Sequence, residues 1–425
     1  MKRALTGLLL LLAGGLSRAQ STADTLALTL PQAEAQFRQR NLSLLTTRLG
    51  IDENRAYEAQ ARLFANPQLY IEQMPYNRQT HEFMPVRQSN SEQLIQVQQL
   101  LLLAGKRNKQ LALAATNTQL AADRFDDLLR TLLYQLRTAF YDLYFTSAAL
   151  RVYDQEMGTL SQTVGLYQQQ YDKGNVPLKD LARLKAYLFT LSTERQQRLA
   201  QLTDDQTTLA VLLNTNPAQP IRPQFAEADQ TDERNPARLL PDSLLAQAER
   251  SRPDLRAYRH QTQSERQNLA LQKALAVPDL TLQGTYDRNA GYIPNYFGVG
   301  VGISLPVFNK NQGNIGAARV RTQSSQQALS AYALRVDGEV QNALLKARQA
   351  DQLYRTFDRR FNGDFSRLIE GVTANYRKQN IDVVEFLDFF DAYKTSQIQY
   401  IQVQNDRLQQ LEALTLAVGS NPFDN

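Results

Sequence analysis

Apolar residues recur at alternating spacings of three and four along the middle of the first half. Leu129, Leu132, Leu136, Ala139, Leu143, Leu150, Tyr153, Met157, Leu160, Val164, Tyr167 and Tyr171 fall on one seam, broken only by Thr146. That is coiled-coil spacing. No proline interrupts the chain between Pro85 and Pro177, or between Pro306 and Pro422. A helix from about Lys106 to Tyr171 is therefore expected, roughly 100 Å long at about 1.5 Å per residue. Such a helix lies far outside the usual globular range and suits a spacer or a bundle wall.

A second pattern has period two. Phe297, Val299, Val301, Ile303 and Leu305 alternate with Gly298, Gly300, Gly302 and Ser304. Leu280 and Leu282 alternate with Thr281, Gln283 and Thr285. Earlier, Leu69 and Ile71 match Ile95 and Val97, with Gln96 and Gln98 between the latter. Four strands are predicted, near 67–75, 92–102, 278–287 and 296–306. Segments apolar on one face and polar or small on the other fit a transmembrane barrel, or an amphipathic sheet on a soluble core. Four strands cannot enclose a lumen, and open edges are not tolerated in lipid. Three copies would supply 12 strands. The hairpin loops are expected at Pro75 to Ser89 and Asp287 to Asn295. Tyr70, Tyr76, Tyr286, Tyr292, Tyr296 and Phe297 sit near strand ends, where an aromatic girdle belongs.

The two patterns occur twice. Asn66-Pro67-Gln68-Leu69 returns as Val277-Pro278-Asp279-Leu280, and Gly105-Lys106-Arg107-Asn108 as Asn309-Lys310-Asn311-Gln312. Tyr171-Asp172-Lys173-Gly174-Asn175-Val176 returns as Tyr376-Arg377-Lys378-Gln379-Asn380-Ile381, and Leu209-Ala210-Val211 as Leu416-Ala417-Val418. Four landmarks in one order argue for a duplicated unit. Each copy reads as helix, strand, loop, strand, very long helix, break, shorter helix. The expected division is a leader at 1–19, a first repeat at 20–215, a linker at 216–240, a second repeat at 241–420 and a tail at 421–425.

Composition changes this picture in two ways. Lys2 and Arg3 precede an apolar stretch from Leu5 to Leu16, and Ser17-Arg18-Ala19 is an acceptable cleavage site, so the start reads as a secretory signal peptide. Of 47 basic residues, Lys2, Arg3 and Arg18 leave with it. The remaining 44 basic and 42 acidic residues give a net charge of +2, so the basic character is no argument for nucleic acid. There is also no cysteine and there are only two histidines, His81 and His260. A dedicated transition-metal site, a disulfide and a thiol nucleophile are not expected. No phosphate loop, nucleophile elbow or nucleotide fingerprint occurs. No enzyme activity, cofactor or catalytic residue is expected.

The duplicated plan, Arg252-Pro253-Asp254-Leu255 opening the second half, the strand-to-helix run Leu100 to Arg107 and the tip motif Tyr171 to Val176 together resemble the TolC-like outer-membrane efflux proteins. The run ending Gly105-Lys106-Arg107 looks most like the CzcC-like heavy-metal branch. The resemblance covers nearly all of the mature chain. It implies a mixed α and β membrane protein. Long antiparallel coiled-coil helices would form a trimeric periplasmic α-barrel, and four strands per chain would complete a 12-stranded transmembrane β-barrel. The implied function is a passive homotrimeric duct in outer-membrane lipid. It would be fed by a periplasmic adaptor (membrane fusion protein) and an inner-membrane pump, usually of the RND class. The same architecture in type I protein secretion, and a periplasmic coiled-coil scaffold or adaptor without a channel, are the competing readings.

The residues singled out lie where long helices reverse. Gly174, Asn175, Val176, Asn380 and Ile381 are read as adaptor-docking tips, or as turn chemistry alone. Glu385 and Asp388 are three apart and share a helix face. The resemblance places acidic residues there as rings in the tunnel end, which would favour cations; a solvated helix face is the plainer reading. The matching first-half positions are Asp180 and Arg183, and Arg183 is a candidate partner for an acid such as Asp388 in a closed gate. The resembling family can hold its gate with an arginine where this chain has Ile381, so that lock is absent or rebuilt.

Overall fold

The computed structural model describes residues 25–85, 87, 91–225, 234–290, 293–356, 359–378 and 380–424. The expected leader at 1–19, together with Ser89, Tyr292 and Gln379, lies outside the described residues. The chain divides into two compact units. One holds the described part of Met1–Asn41 with Leu133–Arg234 and Gln349–Glu412. The other holds Leu42–Leu132, Asn235–Arg348 and the described part of Ala413–Asn425. Both repeats read from the sequence contribute to each unit.

The elements in chain order are β1 (Leu26–Thr29), α1 (Leu30–Arg40), α2 (Leu42–Ala61), β2 (Gln68–Gln73), β3 (Tyr76–Asn77), β4 (Glu82–Phe83) and β5 (Gln93–Leu101). Then come α3 (Lys106–Asp172), α4 (Leu178–Leu213), β6 (Ile221–Gln224), α5 (Pro241–Ser251) and α6 (Pro253–Leu275). The series ends with β7 (Leu280–Ala290), β8 (Ile293–Ile303), α7 (Gln312–Thr356), α8 (Arg359–Arg377) and α9 (Val383–Val418). No helix among the described residues is long and apolar enough to cross a membrane.

In the first unit, α3 presents its heptad seam to its neighbours. Leu136, Ala139, Leu143, Leu150, Tyr153 and Leu160 are buried. Thr146, the break in the seam, donates its hydroxyl to Asp205 of α4 at 2.8 Å, so the polar position has a polar partner. Asn214 ends α4 in the left-handed conformation at φ 50, as helices commonly end. The expected linker holds β6, which pairs in parallel with β1, Leu26 opposite Ile221 and Leu28 opposite Pro223. Neither four-residue strand is legible alone. Their alternation is short, and proline is tolerated because a two-stranded sheet leaves one side of each strand free.

In the second unit the sheet order is β2-β5-β7-β8, antiparallel throughout. Register puts Leu69 opposite Val97, Val97 opposite Gly284, and Gly284 opposite Val299. Side chains alternate along each strand, so one face carries Leu69, Ile71, Ile95, Val97, Leu280, Leu282, Phe297, Val299, Val301 and Ile303. The other carries Gln96, Gln98, Thr281, Gln283, Thr285 and three glycines. The expected loop at Asp287 to Asn295 is instead mostly strand. Asp287 pairs with Tyr296, and Ala290 with Ile293. A ladder needs only backbone groups, so polar side chains do not end it. Within the expected loop Pro75 to Ser89, β3 and β4 form a small hairpin, Tyr76 opposite Phe83.

The strand-to-helix junctions are pinned by the motifs that repeat. Ala104 and Gly105 turn the chain in left-handed conformations, φ 55 and 66. Lys106, buried to 3% exposure, then reaches Asp279 at 2.7 Å and the Val277 carbonyl at 2.6 Å. Arg107 caps the end of α2 through the Arg62 carbonyl. Its counterpart Asn311 donates to the Gln272 carbonyl at the end of α6. Both repeats thus use one side chain after the turn to satisfy a free helix-end carbonyl.

Candidate functional site

The tip residues of the first unit are held by matching backbone geometry. Gly174 adopts φ 78, where an L side chain is strained. The Asn175 N–H donates back to the Gln170 carbonyl at 2.9 Å, and the Asn380 N–H to the Asn375 carbonyl at 3.0 Å. These six-to-one bonds close the C-termini of α3 and α8. The side chains repeat the link, Asn175 Nδ2 to Gln170 Oε1 at 2.7 Å and Asn380 Nδ2 to Asn375 Oδ1 at 3.3 Å. Asn175 and Asn380 therefore do turn chemistry. Asn175 and Asn380 are also exposed, as is Gly174, while Val176 and Ile381 are half-buried. Ile381 packs against the core below the tips.

That core is aromatic and comes from both repeats. Tyr167 of α3 stacks on Tyr376 of α8 at 4.8 Å between ring centroids, and Tyr376 on Phe386 of α9 at 4.3 Å. Phe386 meets Phe390, which takes Tyr187 of α4 edge-on at 6.1 Å. Leu160, Leu184, Leu191, Val372 and Val383 fill the same cluster. Burial first, then Tyr167 and the carboxylates of Asp180 and Asp382, push the Tyr376 hydroxyl far above its ordinary range. Asp382, singled out by no sequence signal beyond its place before a helix, accepts from the N–H groups of Val384 and Glu385 at 2.8 and 2.9 Å. It is the N-cap of α9.

Asp180 lies in the first turn of α4, half-buried and facing the tyrosine stack. Arg183, Glu385 and Asp388 are exposed. Glu385 stands in the first turn of α9, where a carboxylate is favoured by the helix dipole. Arg183 and Asp388 make no ion pair with each other or with another described residue of the chain. From one turn further on, the polar contacts between α4 and α9 are made. Tyr187 donates to Asp391 at 2.8 Å, and Lys394 bridges Glu194 and Asp391, each at 2.9 Å. Burial alone would raise the Asp391 carboxyl, but its bonds from Lys394 and Tyr187 outweigh that and hold it below the usual range. Sequence reading missed this set, although Lys394 stands among apolar positions of α9.

In the second unit, Arg252-Pro253-Asp254-Leu255 builds a buried charge network. Asp254 takes hydrogen bonds from Arg252 at 2.5 Å, Arg130 at 2.7 Å and Tyr332 at 2.7 Å. The arginines in turn donate to the Leu416 and Ala417 carbonyls, and Ser251 to that of Val418, all at the C-terminus of α9. Two cations thus meet the negative end of a helix. The sheet face that bears Phe297, Val299 and Val301 is open, at 77%, 92% and 66% exposure. A continuous exposed apolar face of this kind marks an interaction surface. No cluster of metal-binding side chains occurs among the described residues.

Comparison with known proteins agrees with this geometry. Residues 244–420 match the model of the outer membrane efflux protein family. The chain is similar to the cobalt-zinc-cadmium resistance protein CzcC of Cupriavidus metallidurans, 22% identical over 299 residues that cover 70% of this chain and 68% of CzcC. The fold matches the Campylobacter jejuni CmeC outer membrane channel with a TM-score of 0.74 at 11% identity, covering 92% of this chain and 85% of that one. It matches the open state of the Neisseria gonorrhoeae MtrE outer membrane channel with a TM-score of 0.73 at 18% identity, covering 92% and 89%. The protein is an outer-membrane protein with a large periplasmic part.

Proposed function

We propose that the chain is one third of a passive efflux duct. Three copies of its sheet close a 12-stranded barrel in outer-membrane lipid. Their helices form a periplasmic tunnel that receives cargo from an inner-membrane pump of the RND class through a periplasmic adaptor. The observation that carries this reading is the sheet itself. It has one exposed apolar face, one face of amides, hydroxyls and glycines, and unpaired outer edges on β2 and β8. In lipid those edges need partners, and a neighbouring copy supplies them without leaving a new edge. The amide and hydroxyl face then lines the lumen.

In this reading Gly174, Asn175, Val176, Asn380 and Ile381 present the tips to the adaptor. Asp180, Arg183, Glu385 and Asp388 line the constricted end. Arg183 and Asp388 are exposed and make no ion pair among the described residues, which supports a role between copies. Three copies place six carboxylates from Glu385 and Asp388 at the constriction, a field that favours cations. We assign the cargo to cations, of which the metals named for CzcC are one class.

The test is the native mass of the mature protein in detergent together with its current in a planar bilayer. A trimer with small cation-selective steps supports the duct. A soluble monomer without channel activity overturns it and favours a periplasmic scaffold. Arg183→Ala is expected to raise the conductance of the resting channel; an unchanged current removes Arg183 from the gate.

A further inference from the structure

Glu156 stands out among the buried groups of the first unit. It lies on α3 beside the heptad seam, one turn from Leu160, and is 3% exposed. Its Oε2 is fully buried and has no hydrogen-bond partner. A buried carboxylate oxygen without a donor is costly when charged and tolerable when neutral. The cation facing it is Lys394 of α9, whose ammonium is already held by Glu194 of α4 and by Asp391. Lys394 also lies 5.7 Å from the ring centroid of Tyr187. Three carboxylates therefore converge on one ammonium, and only two of them contact it.

We propose that Glu156 is a proton-operated latch on the seam joining α3, α4 and α9. Protonated, it fits the seam and leaves Lys394 to tie α4 to α9. Ionised, it competes for Lys394 with Glu194 and Asp391, and the tie between α4 and α9 loosens. Among the described residues the charged and titratable groups around it are Tyr153 on its own helix, Tyr187, Glu194 and Arg198 on α4, and Asp391 and Lys394 on α9. Burial pushes the Glu156 carboxyl up from 4.5 to about 7, with Lys394 pulling it back only in part. The raised value means that the packed state binds the extra proton. Its stability is greatest below about pH 4.5, falls as pH rises through about 7, and is level above that.

The tie loosened in this way, Tyr187 to Asp391 and Lys394 to Glu194, begins one turn beyond Arg183 and Asp388 and runs on to about three turns beyond Arg183. The latch concerns helix packing and does not depend on the duct reading. It is tested by amide hydrogen exchange on the full-length protein in detergent, corrected for the intrinsic effect of pH. Wild type is expected to lose about tenfold in protection of residues 187–194 and 386–394 between pH 6 and pH 8. Glu156→Gln is expected to hold the acid-level protection at both. Asp154→Asn, at an exposed pair with Arg195, keeps the wild-type loss. Lys394→Met removes the tie itself and is expected to lower protection of both segments at both pH values. A flat wild-type profile, or a loss that persists in Glu156→Gln, overturns the latch.

Discussion

Asp254 shows how much one side chain can organise. Burial alone would raise its carboxyl, but Arg252, Arg130 and Tyr332 together hold it at about 2, below its ordinary 3.8. The folded form is thus the weaker proton binder. The network contributes on the order of 2 kcal/mol, present above about pH 4 and lost as pH falls toward 2. Asp254→Asn leaves the buried Arg252 and the half-buried Arg130 each one counter-charge short, with only Glu339 and Asp127 remaining to them. It is expected to cost about 3 kcal/mol, seen as a lower melting temperature at pH 7, with the gap to wild type narrowing below pH 4. At this scale the sequence was only partly legible. Arg252-Pro253-Asp254-Leu255 was visible as a landmark. That its arginine caps the last carbonyls of α9, 165 residues away, follows from no local pattern. Glu156 was not legible at all, because a glutamate beside a heptad seam reads as a solvated flank until the neighbouring helices are in place.

At the scale of the element, the four-stranded sheet has one apolar and one polar face. Its apolar face is bare in the single chain, with Val301 opposite Leu282. Val301→Arg is expected to cost about 2–4 kcal/mol if that face meets the middle of the bilayer. The measurement is the fraction recovered in the outer-membrane fraction and its heat-modified migration on gels. Gln283→Arg, on the opposite face, should insert normally. Equal recovery of both variants would show that the face is not in lipid. The alternation of Phe297 to Ile303 announced this strand, since period two is a local property. The strand ends were not announced, because β7 runs on through Asp287 and Asn289, where pairing rather than side-chain polarity decides. Likewise β1 and β6 exist only because segments nearly 200 residues apart lie side by side.

For the whole molecule, the exposed carboxylates of α9 matter only as a set. Glu385 and Asp388 have no described partner in the chain, so a ring of three copies would concentrate six negative charges. Glu385→Gln with Asp388→Asn is expected to abolish cation preference, measured as the reversal potential across a salt gradient, without changing the native mass. A retained preference would move selectivity to another part of the pathway. The wild-type preference should also weaken at high salt, since exposed charges are screened within about 10 Å at 0.1 M.

What the sequence by itself determined was periodic. Spacings of three and four made α3 and its buried seam, alternation made the main strands, glycine and asparagine made the helix reversals, and the recurring landmarks carried the two-repeat reading. These are legible because helix and strand impose fixed periods on which residues share a face. What the tertiary structure decided was everything that joins distant positions. It set the register that puts Leu69, Val97, Gly284 and Val299 in one row. It set the aromatic stack from Tyr167 through Tyr376 to Phe386, and the gathering of Lys394, Glu194 and Asp391 beside Glu156. The physical reason is that periodicity fixes a side chain's direction. Burial, hydrogen-bond satisfaction and the energy of a charge depend on neighbours that only packing brings within reach.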